Sequence, residues 1–192
     1  MKMAFAFVDR TMEILDSRVL RLGEKFEFAE FLFIGFLAFL IPFSLGHPQL
    51  LVGVLVNAFL VIASLNLDAK KVMGIALFPS LGVIARGVLF GPFTFALVFM
   101  VPFIWMGNLV LILAMKYLFG EKKMDYFISL GAGALLKTGL LFCAAYALLQ
   151  FSLVPALFLE AMGVIQLITA VGGGILAFAI WKVWRISGGV VQ

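Results

Sequence analysis

A single lysine, Lys137, interrupts the apolar run from Tyr126 to Gln150. At about 11 residues from the near end of that run it would lie roughly 16 Å deep in a helix rising 1.5 Å per residue, beyond easy snorkelling to an interface. A charge at the centre of a membrane helix costs roughly 2.5–3.5 kcal/mol on insertion scales. A lysine kept there reads as a ligand for, or counter-ion to, something negative. Asn57, Asn108, Gln166 and Thr169 fall inside three other apolar runs. Singly, each reads as hydrogen-bonding glue between helices; together with Lys137 they read as the lining of a polar cavity. Arg86 and Glu160 stand at similar depths, each about one turn from the end of its run, which permits an ion pair between them. The alternative is that both snorkel to the interface or pair for structural reasons only. His47 and Gln49 stand at the mouth on that same side. A buried cation needs a partner, so a pocket lined by Lys137 and Arg86 would take a small solute bearing a carboxylate or another anionic group.

Other chemistries find no support. Paired carboxylates, a nucleophile elbow and a zinc-helix motif are missing, and an acid or base role for Glu160 or His47 has no second group to work with. The pair Lys137-Thr138 resembles the end of a phosphate-binding loop, but Leu136 stands where the glycine belongs. No catalytic residue is expected. One cysteine, Cys143, and one histidine exclude an internal disulfide and a metal constellation of useful spacing, and no cofactor is expected. The net charge of +4 comes from basic residues scattered in ones and twos, which argues against nucleic acid. Without a nucleotide motif the chain cannot by itself couple transport to ATP.

The elements that must hold these residues follow from composition. Of 192 residues, 65% are hydrophobic and 12% charged, and the mean hydropathy is +1.20; soluble domains carry about a quarter charged residues. The first stretch, Phe5 to Phe26, places Val8, Met12, Leu15, Val19, Leu22 and Phe26 at helical spacing opposite Asp9, Arg10, Glu13, Asp16, Arg18, Arg21 and Lys25, the pattern of an amphipathic interfacial helix. Beyond it lie apolar runs approaching or exceeding the ~20 residues that cross a bilayer: Ala29–Gly46, Leu50–Leu67, Val72–Phe90, Phe93–Phe119, Tyr126–Gln150 and Ala156–Lys182. Lys70, Lys71, Lys116, Lys122, Lys123, Lys182 and Arg185 all fall on one side of this arrangement, with the basic residues before the first run. The connections at His47-Pro48, Gly91-Pro92 and Ser152 to Pro155 carry no Lys or Arg. Basic flanks collect in the cytoplasm. The expected fold is an all-α integral membrane protein, a six-transmembrane-helix bundle preceded by an N-terminal amphipathic interfacial helix, with both termini cytoplasmic. The expected division is 1–28 for the interfacial helix, 29–186 for the membrane domain and 187–192 for a tail, multi-pass in the plasma (inner) membrane. Pro42, Pro79 and Pro102 are expected to bend their helices and open cavities, or simply to be tolerated in membrane helices. Gly172-Gly173-Gly174, with Ala170 and Ala177, reads as a close-packing face, and Gly131 and Gly133 likewise.

Four segments carry a resemblance. They are His47-Pro48-Gln49-Leu50-Leu51-Val52-Gly53-Val54-Leu55-Val56-Asn57-Ala58, then Phe78-Pro79-Ser80-Leu81-Gly82, then Pro102-Phe103-Ile104-Trp105-Met106-Gly107-Asn108, and Gln166-Leu167-Ile168-Thr169-Ala170 leading into Gly172-Gly173. In this order they resemble the substrate-binding S components of energy-coupling factor transporters, small prokaryotic membrane proteins, in a sub-family whose substrate is open. The resemblance implies a six-helix vitamin-binding subunit with its pocket toward the outer side. It also implies docking onto a transmembrane coupling protein and two cytoplasmic ATPases, and toppling to release substrate. By this mapping and by depth, the site is Asn57, Arg86, Asn108, Lys137, Glu160 and Gln166. One departure is plain: where such proteins often carry Ala-x-x-x-Ala in the first helix, this chain pairs Gly35 with Phe39 and Ala38 with Pro42. A non-transporting anchor or accessory subunit of a larger redox or assembly complex fits the composition equally.

Overall fold

In a computed structural model, residues 2–19, 23–45, 47–87 and 94–186 are described. Among them the chain is all helical: α1 (Lys2–Asp16), α2 (Glu24–Leu45), α3 (Gln49–Asn66), α4 (Ala69–Arg86), α5 (Thr94–Ala114), α6 (Tyr126–Gln150), α7 (Leu157–Met162) and α8 (Val164–Ile186). α5 runs on into a π-helical stretch, Met115–Glu121. Among the described residues five helical segments are long and apolar enough to cross a bilayer: Glu24–Leu45, Gln49–Asn66, Phe95–Glu121, Tyr126–Gln150 and Leu157–Trp184. This is a multi-pass membrane protein. α4 has 18 residues, as α3 has, but carries Lys70, Lys71 and Arg86 at its ends. The expected turn at Gly91-Pro92, the end of the third run at Phe90 and the tail 187–192 lie outside the described residues.

Three pairings build the bundle: α3 on α8, α2 on α4, and α5 on α6. Small residues allow the first two. A Cβ on Gly173 would stand 2.6 Å from both Asn57 Cβ and Val54 O, while Gly172 faces Val54 and Gly174 faces Leu130. Ala170 and Ala177 are fully buried, so the glycine run is a packing face, against α3 at Gly172 and Gly173 and against α6 at Gly174. A Cβ on Gly82 would run into the backbone carbonyl of Phe39. Gly133 packs on Leu111 and Ala114, but Gly131 faces open space, so the packing role expected of both belongs to Gly133 alone. Gly173→Val should destabilise the protein by about 3 kcal/mol, the upper range for overpacking a close-packed contact; thermal unfolding in detergent measures this, and an unchanged midpoint would contradict it.

The continuous helix expected from Phe5 to Phe26 is broken, because α1 stops at Asp16 and α2 starts at Glu24. Local and distant hydrogen bonds both favour the break. Ser17 turns back on its own helix, Oγ donating to Ile14 O at 2.7 Å, and the Val19 amide donates to Leu65 O at 2.8 Å. The segment is thereby drawn to the base of α3, where a buried charge network forms. Glu27, with its side chain 2% exposed, pairs with Arg18 at 2.6 Å and Lys71 at 3.2 Å, and accepts from the Asp68 amide at 3.0 Å. Lys116 is not the exposed flank that its place at the end of the fourth run implies. It is fully buried, and its ammonium donates to the carbonyls of Ser17 and Leu67, the latter at 2.8 Å. Asp68 caps α4 by accepting from the Lys71 amide at 3.0 Å. Burial pushes the Asp68 carboxyl up, but hydrogen bonds from the Lys71 side chain and amide outweigh this and hold it below its ordinary range. Asp125 caps α6 in the same way, accepting from Phe127 and Ile128 amides at 2.8 and 3.2 Å.

The last run, expected to be one helix from Ala156 to Lys182, is interrupted at Gly163, between α7 and α8. A Cβ there would stand 2.7 Å from Leu159 O and 3.2 Å from the Phe142 ring, so the chain can turn tightly at this point only as glycine. The break lies beside a cavity lined by its neighbours Met162 and Ile165.

Candidate functional site

Lys137 is 1% exposed, and its Nζ donates to Asn57 Oδ1 at 2.6 Å and to Asn108 Oδ1 at 2.9 Å. Each asparagine is oriented from its other end. Asn57 Nδ2 donates to Gly53 O at 2.9 Å and to Thr169 Oγ1 at 3.3 Å; Asn108 Nδ2 donates to Ala76 O at 2.8 Å. Thr169 Oγ1 in turn lies 3.1 Å from Gln166 Oε1 and from Gln166 O. One polar chain thus links α8, α3, α6, α5 and α4. An ammonium has three N–H donors, of which two are used here. Among the described residues Lys137 forms no ion pair, so its charge is met only by amide dipoles.

This chain forms part of the wall of a cavity of about 110 Å³. Asn57, Asn108, Lys137, Gln166 and Thr169 contribute its polar side, and Val52, Val56, Val83, Leu97 and Ile104 its apolar side. Pro42 and Pro79 also line it, whereas Pro102 does not. Ser80, next to Pro79 on α4, lines it too. The Ser80 hydroxyl is buried and has no hydrogen-bond partner in the protein, an arrangement that calls for a ligand or water. The discontinuity at Gly163 adds a further element. α8 begins at Val164, and Ile165 and Gln166 of its first turn line the cavity. Helix N-termini carry a partial positive charge and unpaired amides, and broken membrane helices present such ends to anions. Positive charge, a helix start and an unpaired hydroxyl converge on one small space.

Of the six residues expected to form a site, Asn57, Asn108, Lys137 and Gln166 are therefore brought together, while Arg86 and Glu160 do not line the cavity. The ion pair between the last two does not form. Arg86 ends α4, and its guanidinium donates to Phe43 O at 2.7 Å and to Ser44 O, satisfying carbonyls that the end of α2 leaves unpaired. Glu160 is exposed on α7. Gln49 lines the cavity and His47 does not. Arg86→Gln and Glu160→Gln should each change solute affinity by less than about twofold, as expected of residues without a shared partner in the site. Calorimetric titration checks this, and a tenfold loss would place the residue back in the site. Among the described residues no group of three or more His, Cys, Asp or Glu side chains could hold a metal ion. The chain matches no protein-family model, no curated protein and no solved structure.

Proposed function

We propose that this chain is the solute-binding membrane subunit of an uptake transporter of the energy-coupling-factor type, taking up a small anion. The observation that carries the reading is Lys137: a buried ammonium with amide partners and no acid, facing a cavity. A buried unpaired charge is costly, and an anionic ligand would supply the missing counter-charge. The start of α8 and the Ser80 hydroxyl supply further positive potential and a donor. The cavity volume argues for a compact ligand, since about 150 Å³ of apolar cavity suffices for benzene. A short carboxylate, with its head at Lys137 and its body against Val52, Val56 and Leu97, suits the division of the walls.

The proposed topology has six spans, α4 among them, with both termini in the cytoplasm and α1 lying along the membrane surface. Segregation of Lys70, Lys71, Lys122, Lys123 and Lys182 to one end supports it, as do the exposed Phe5, Phe7, Val8 and Met12 of α1. The cavity then opens toward the outer half, and the membrane is the prokaryotic plasma membrane. Partners would be a transmembrane coupling protein and two ATPases, because the chain carries no nucleotide motif of its own.

Native mass spectrometry of the gently purified protein tests the reading. A retained anionic metabolite and copurifying ATPase subunits are expected. A ligand-free protein in a complex with iron-sulfur or flavin subunits would replace the transporter reading with that of a membrane anchor.

A further inference from the structure

A second cavity, of about 230 Å³, lies between α2, α3 and α8 toward the lysine-rich end, remote from Lys137. Its lining is apolar and aromatic except for Glu30 and Asn66. These two are joined, Asn66 Nδ2 donating to Glu30 Oε1 at 2.6 Å. Their remaining oxygens, Glu30 Oε2 and Asn66 Oδ1, are both buried and both without a hydrogen-bond donor, and Asn66 as a whole is 2% exposed. Two orphaned acceptors side by side are unfavourable unless a donor arrives. The nearest other acid, Glu27, already has Arg18 and Lys71, whereas Glu30 forms no ion pair with any described residue and is held only by Asn66.

We infer that this cavity seats a primary ammonium group, the headgroup amine of an aminophospholipid. An ammonium offers several N–H donors and one positive charge, matching two acceptors and one carboxyl group, and the indole rings of Trp181 and Trp184 in the lining add an aromatic environment that suits a cation. A quaternary amine would gain the aromatic contact but leave both acceptors unpaired. Position favours a lipid source. Glu30 is in the second turn of α2 and Asn66 ends α3, the depth of a headgroup, and the rim residues Phe33, Ile180 and Trp184 are 65%, 41% and 46% exposed on the bundle's outer surface. The inference rests on the membrane placement and not on the transport proposal.

The test uses the full chain in bilayer discs of equal phosphatidylethanolamine and phosphatidylcholine, released into native mass spectrometry. Phosphatidylethanolamine should be enriched over phosphatidylcholine about tenfold, the factor that one charge-assisted hydrogen bond supplies, and Glu30→Gln should remove the enrichment. Because Glu30→Gln could disturb folding through Asn66, Trp184→Leu on the exposed rim provides a second variant and should lower the enrichment with the thermal midpoint in phosphatidylcholine unchanged. Equal retention of the two lipids, or enrichment untouched in a folded Glu30→Gln protein, would overturn the inference. Ethylammonium that stabilises the protein in pure phosphatidylcholine discs, with no enrichment of phosphatidylethanolamine, would overturn the lipid source.

Discussion

Lys137→Met should abolish solute retention while the helices stay folded. Methionine keeps much of the length and volume of the lysine stem but removes the charge that faces the cavity. Truncating one partner of a buried, hydrogen-bonded charge pair costs about 2–5 kcal/mol of binding, which is roughly thirtyfold or more in affinity. The effect on the empty protein is much smaller because two changes oppose each other. Asn57 Oδ1 and Asn108 Oδ1 lose their donor, at about 1–3 kcal/mol for each unsatisfied group, while the cost of burying an unpaired ammonium disappears. Thermal unfolding with and without solute separates the two: the native protein should gain stability from an anionic ligand, and the variant should gain none. Unchanged affinity would remove Lys137 from the site.

Glu27→Leu should be the most damaging single substitution at the opposite end of the bundle. The carboxylate there pairs with Arg18 and Lys71 and accepts from the Asp68 amide. Breaking a buried pair from one side costs about 3–5 kcal/mol because the remaining charge is stranded. Arg18 and Lys71 are 27% and 19% exposed, so water relieves part of the penalty, and the expected loss is about 3 kcal/mol. The loss should be visible as a lowered thermal midpoint and as faster amide exchange where α1 meets α2. A variant as stable as the parent would show that the network contributes nothing net, as some buried pairs do.

These two sites differ in how far they could be read from residue order. Lys137 announces itself, since an isolated cation eleven residues into an apolar run has no local explanation, and the amides at Asn57, Asn108 and Gln166 stand out on the same ground. The apolar runs were legible because bilayer thickness sets a length that composition reveals. Arg86 is harder to place, because depth along a helix says nothing of azimuth and leaves a structural role and a pocket role equally open. Its partners are the terminal carbonyls of α2, which become neighbours only through the close contact of Gly82 with Phe39. Lys116 looked like a basic flank, since nothing local distinguishes a lysine in solvent from one that reaches the carbonyls of Ser17 and Leu67. The break at Gly163 was hidden because a glycine in an apolar run reads equally as packing; only the nearness of Leu159 O and Phe142 shows the turn.

The reach of Lys116 bears on the order in which the protein is made. Its two carbonyl partners lie 99 and 49 residues earlier in the chain, so neither hydrogen bond can exist until the end of α5 has been synthesised. Until then the Ser17 and Leu67 carbonyls have no Lys116 ammonium to accept from, although Arg18, Glu27, Asp68 and Lys71 can already meet. The two kinds of contact at the basic end thus become possible at different times: the ion pairs joining the segment after α1 to α2 and the start of α4 can form first, and the lysine can close the knot only after α5 is made.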